Sequence, residues 1–137
     1  MAAWPKLPRL SSTLQYFENA LAELKKRQSE IDTDLVAASA TEFSAEIFVR
    51  GKSKCKCRIW LGGMFGSNEI AYAEGTSISG NAMNDSLSLT ADRGELAFRT
   101  LMGGAFGRIP DGLDVQHLSP EQAAEYLWRR FVAPLEH

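Results

Sequence analysis

From Phe48 to Trp60 the chain reads FVRGKSKCKCRIW. Arg50, Lys52, Lys54, Lys56 and Arg58 put five cations into nine residues. Strand alternation sends Lys54, Lys56 and Arg58 to one side, and Phe48 and Trp60 share that side. Cations interleaved with aromatic rings suit phosphates and stacked bases, so Phe48, Arg50, Lys52, Lys54, Lys56, Arg58 and Trp60 form a candidate polyanion site. The plainer reading is solubility: lysines on an exposed hairpin discourage edge-to-edge pairing. A net charge of −2 favours that reading.

Other residue types with chemical potential have local explanations. Cys55-x-Cys57 holds the only two cysteines. Structural zinc wants four ligands, and alternation puts both thiols on the apolar face beside Ile47 and Val49, where they act as small hydrophobes. Gly51-Lys52-Ser53 lacks the first glycine of a phosphate loop, because Glu46 stands at that position. His117 lies near Asp111, Asp114 and Ser119, but Ser119 is accounted for as a helix cap. Asp85, Asp92 and Asp111 fall in turn contexts. No catalytic residue, metal or cofactor is assigned.

Two glycine-rich stretches match in spacing: RIWLGGMFG over 58–66 and RTLMGGAFG over 99–107. Paired glycines permit a sharp exit from a sheet, and Phe65 and Phe106 are expected to fold back as apolar anchors. In a meander these segments lie at opposite edges.

The elements that position these residues follow from periodicity. Residues 1–10 contain Pro5 and Pro8 and read as an extended arm. Ser12 and Gln15 make a capping-box pattern, and Leu14, Phe17, Leu21, Leu24, Gln28 and Ile31 form one stripe of a helix over 12–31. That stripe packs on a sheet or serves as a seam for a homodimer. A hairpin follows, with strands at 43–49 and 55–61 joined by the three-residue loop Gly51-Lys52-Ser53. Its register sets Arg50 opposite Lys54, Val49 opposite Cys55, Ile47 opposite Cys57, Phe43 opposite Leu61 and Glu46 opposite Arg58. A strand at 69–74, a polar loop at 75–85 and a second hairpin at 87–100 come next. Pro110-Asp111-Gly112 marks a turn, and Ser119-Pro120-Glu121-Gln122 opens a final helix ended by Pro134.

The expected fold is a single α+β domain over 1–134: a mostly antiparallel sheet of about five strands with an N-terminal and a C-terminal helix packed on it. Residues 135–137 read as a cloning scar before a histidine tag. The 137 residues are enough for a substantial core. No apolar run spans a bilayer, no signal peptide is legible, and a reduced cytoplasmic setting suits the cysteines. The functional expectation is a non-enzymatic binding or regulatory module with a protein partner or itself as ligand. The alternatives are a nucleic-acid or polyanion binder using the 48–60 hairpin, and a small enzyme whose site cannot be read from sequence. A membrane partner is not expected.

Overall fold

The computed structural model describes residues 8–39, 41–63, 66–75, 84–92, 95–101, 114 and 116–136. Helix α1 covers Pro8–Arg27. Six strands follow: β1 Ile31–Ser39, β2 Glu42–Val49, β3 Lys52–Gly63, β4 Gly66–Glu74, β5 Asp85–Asp92 and β6 Glu95–Thr100. Helix α2 spans Pro120–Val132, and a 3-10 turn occupies Ala133–Glu136. The strands form one antiparallel sheet in the order β1-β2-β3-β4-β5-β6, a simple meander.

The α+β architecture is as the sequence implies, with one strand more. That strand is β1. Its first residue, Ile31, falls in phase with the stripe of the preceding helix, so periodicity alone extends the helix too far. The helix over 12–31 instead starts at Pro8 and ends at Arg27. Proline is favoured in the first helical turn, where its missing N–H has no intrahelical partner. Pro8, Arg9 and Leu10, read as the end of an extended arm, are therefore that first turn.

The first hairpin turns on two residues, not three. Arg50 and Gly51 both have positive φ, 52° and 82°, as a tight hairpin turn requires. Lys52 and Ser53 belong to β3. Val49 pairs with Lys52 and Phe48 with Ser53, but Ile47 pairs with Cys55, so Lys54 is an extra residue in the ladder. This bulge restores the parity that a two-residue turn alone would break. The pairs are Ile47–Cys55, Ala45–Cys57, Phe43–Ile59 and Glu46–Lys56, so the expected register is shifted by two and the faces are unchanged.

The core lies between the helices and one sheet face. Phe17, Phe43, Ile47, Cys57, Ile59, Ile70, Tyr72, Leu87, Phe98, Leu127 and Phe131 are buried there. Phe17 is at its centre, with its ring 5.5 Å from Phe43, 5.3 Å from Trp128 and 5.6 Å from Phe131. The stripe of α1 is thus used within the chain. Ser119 caps α2 reciprocally: its hydroxyl accepts from Gln122 N, and Gln122 Oε1 accepts from Ser119 N. Leu135, assigned to the scar, packs against the core.

In the first glycine-rich stretch Gly62 and Gly63 end β3 and Gly66 opens β4, with Gly63 paired to Gly66. That stretch is a hairpin within the sheet. Phe65, Phe106, the 110–112 turn and the rest of the second stretch beyond Leu101 lie outside the described residues.

Candidate interaction surface

The seven residues of the basic hairpin are not one continuous patch. Phe48, Lys56, Arg58 and Trp60 lie on the face away from the helices, as alternation requires. Arg50 sits in the turn and bonds Glu30 at 3.2 Å. Lys52 pairs with Val49, a core-face residue, which puts it on the opposite parity to Lys56. Lys54 is the bulge residue, and it is exposed.

Acidic groups also enter this face. Arg58 grips Glu42 with two donors, at 2.8 and 3.3 Å. Its guanidinium carbon also lies 4.2 Å from the centroid of Trp60, covering one side of the ring. Strand β1 brings Asp34 beside Glu46, which itself pairs with Lys56. Ser53 Oγ donates to Glu46 at 2.6 Å. A shallow depression lined by Asp34, Val36, Ser44, Glu46 and Lys56 lies here, with charges of both signs. Lys52, Lys54 and Lys56 form no ion pair among the described residues.

The sheet's two edges differ. At β6, Phe98 exchanges both backbone hydrogen bonds with Leu118, at 2.7 and 2.8 Å, so the chain covers its own edge there. At β1 no further strand is added among the described residues. Arg50 N donates to the Glu30 carbonyl at 3.0 Å, which marks Glu30–Arg50 as a hydrogen-bonded pair. Alternation then turns the backbone groups of Asp32, Asp34 and Val36 toward β2, and those of Ile31, Thr33, Leu35 and Ala37 outward. The first two outward N–H groups are occupied: Ile31 N donates to Gln28 O at 3.2 Å, and Thr33 N to Asp32 Oδ1 at 3.0 Å. Leu35 and Ala37 present the open stretch, with no partner for their outward groups among the described residues. Between them Val36 is 49% exposed, although it is a large apolar residue.

A second cluster is internal. Asp85, with a fully buried side chain, accepts from Ser86 N at 2.8 Å, Tyr126 Oη at 2.5 Å and Arg130 Nη1 at 2.9 Å. Arg130 also reaches Glu74 at 3.5 Å, and Tyr72 Oη donates to Glu74 at 2.7 Å. Burial, then the bond to Asp85, pushes the Tyr126 phenol up to about 12. Burial likewise raises Tyr72. For Arg130 burial acts downward, but Glu74 and Asp85 outweigh it and raise its basicity. These groups hold their protons firmly and satisfy one another, which suits a pin between α2 and the end of the sheet where β4 stops and β5 starts better than proton transfer. In the sequence Asp85 reads as a turn residue, whereas here it opens β5 and is buried. The available signal was Tyr126 and Arg130, four apart on the buried stripe of α2, where an arginine needs an acidic partner.

The remaining candidates have structural roles. Cys55 and Cys57 are buried free thiols. Burial raises Cys55 to about 11 and Cys57 further. Asp114 Oδ1 accepts from Gln116 N at 3.0 Å, and its carbonyl accepts from His117 N at 2.9 Å, so Asp114 shapes the turn before the α2 cap. Among the described residues no three of His, Cys, Asp and Glu are grouped as a metal site requires. No helix among them is long and apolar enough to cross a membrane.

The described residues define an α+β domain with a six-stranded meander, two helices packed on one face and, among those residues, no strand beyond β1. Residues 32–133 match the family model of the Y4lF protein domain, and the chain belongs to that family. The matched span takes in the sheet and α2 and leaves out α1. The "Uncharacterized protein y4lF" of Sinorhizobium fredii (strain NBRC 101917 / NGR234) is 39% identical over 123 residues, covering 89% of this chain and 36% of that protein. The chain therefore spans about a third of the length of that relative. No solved structure matches it.

Proposed function

We propose that this domain is a non-enzymatic protein-interaction module whose docking element is the open edge of β1. The observation that carries this reading is the difference between the edges: β6 is bonded at Phe98 by the chain itself, whereas β1 presents Leu35 and Ala37 beside an exposed Val36. An extended segment laid along such an edge gains main-chain hydrogen bonds, while alternate side chains meet the flanking surface. The depression between Val36 and Lys56 gives one of those side chains a mixed-charge seat. The saturated cluster around Asp85 favours binding over catalysis, and the acids around Arg58 and Lys56 favour a protein partner over a polyanion. A cytoplasmic setting goes with this reading, since both thiols are free.

The test is selection of displayed random peptides on the purified domain, followed by backbone NMR mapping. Enriched peptides are expected to be strand-forming and to shift the amides of Thr33 through Ala37. Absence of enrichment, or shifts confined to another surface, overturns the reading.

A further inference from the structure

The open stretch of β1 is short and nearly self-complementary. We propose that its occupant is a second copy of this chain, joined by antiparallel β1–β1 pairing about a two-fold axis at Val36. This rests on the reading of the β1 edge as a docking element.

The register follows from which backbone groups are free. Antiparallel pairing about Val36 sets Leu35 of one copy opposite Ala37 of the other, and the reverse. Both residues turn their N–H and C=O outward, so each opposing pair exchanges both hydrogen bonds. Every open group between Leu35 and Ala37 is then used. Centring on Leu35 would set Ala37 opposite Thr33, whose N–H is already held by Asp32. Centring on Ala37 would set Leu35 opposite Ser39, beyond the register shift between Ala37 and Ser39.

Side chains agree with the same axis. Val36 becomes a non-hydrogen-bonded pair with its own copy, the pair type that brings side chains closest. Its exposed surface is covered by an identical surface, as an isologous contact requires. Asp34 faces Ala38, so neither Asp32 nor Asp34 meets a like charge directly across the seam. The product is a continuous sheet through two domains, with the helices of both on one side. The contact is small, so association in the micromolar range or weaker is expected.

Sedimentation velocity over a concentration series tests this. The wild-type chain is expected to show a reversible monomer–dimer equilibrium. Val36→Lys sets two ammonium groups face to face and should weaken it by about tenfold or more. Ala37→Pro removes an outward N–H that β2 does not use, so the fold should persist, as circular dichroism checks, while the dimer is lost. The register has its own readout. Val36→Cys should form an interchain disulfide under mild oxidation, because non-hydrogen-bonded partners lie within disulfide reach. Asp34→Cys should not, and the buried native thiols do not compete. A chain monomeric throughout, or a dimer insensitive to both Val36→Lys and Ala37→Pro, overturns the proposal. If that monomer still binds selected peptides at Thr33–Ala37, the edge reading stands and only the second copy fails.

Discussion

Arg130 meets Asp85 at 2.9 Å across 45 positions of sequence, fastening the last helix to the start of β5. The Asp85 side chain is fully buried and that of Arg130 is 15% exposed. A buried pair of this kind contributes little beyond an apolar replacement, yet loss of one partner is costly because a charge is stranded.

Arg130→Met is therefore expected to destabilise the domain by about 3 kcal/mol. Tyr126→Phe, which removes one donor to the same carboxylate, should cost about 2 kcal/mol. Asp85→Asn placed in the Arg130→Met background should recover part of the loss by removing the stranded charge. Urea midpoints at constant slope check all three, and an Arg130→Met protein as stable as wild type would contradict the pinning role.

Alkaline pH should weaken the fold in a defined window. Tyr126 is raised from 10.0 to about 12 and Cys55 from 9.0 to about 11. Above the lower values the unfolded chain releases protons that the folded chain keeps. Stability is thus fully present below pH 9 and falls as pH rises toward 12. Denaturant midpoints measured across this range should decline, and Tyr126→Phe should flatten the upper part of the slope.

The first hairpin offers a test at its turn. Gly51 has φ of 82° and open space where a Cβ would sit, so Gly51→Ala costs backbone strain alone, about 1 kcal/mol. Arg50 has φ of 52°, a conformation asparagine tolerates better. Arg50→Asn should stabilise by a few tenths of a kcal/mol, because the exposed bond to Glu30 that it removes is worth little. Thermal melts of the two variants should move in opposite directions.

Single-stranded RNA and DNA titrated at two salt concentrations test the polyanion alternative. With Glu42, Glu46 and Asp34 among the cations, only weak binding at low salt is expected. Saturable binding at physiological salt that Lys54→Glu with Lys56→Glu abolishes would restore that alternative.

Several elements are legible in the sequence because their signals are local. Ser119 through Gln122 specify the α2 cap, and alternation assigns Cys55, Cys57 and Ile59 to the core face. The second hairpin is legible as an element, although Asp92, read as a turn residue, is the last residue of β5 and pairs with Glu95. What escapes is whatever one residue can disguise. Ile31 continues a helical stripe by coincidence and hides β1. Lys54, as a bulge, lets a two-residue turn imitate a three-residue one. The open edge and the Asp85 cluster are less accessible still, because each depends on which distant segments are neighbours. Asp34 next to Glu46, or Tyr126 next to Asp85, has no signature in either local stretch.

The meander has a temporal consequence. Each strand pairs with the one made just before it, so the sheet can assemble as the chain emerges. Phe17 and Phe43 are available early, but Trp128 and Phe131 arrive last. Until then the apolar face around Ile59, Ile70 and Leu87 has only one of its two helices. The newborn domain is most vulnerable to misassociation in that interval, and the speed with which α2 docks sets its length.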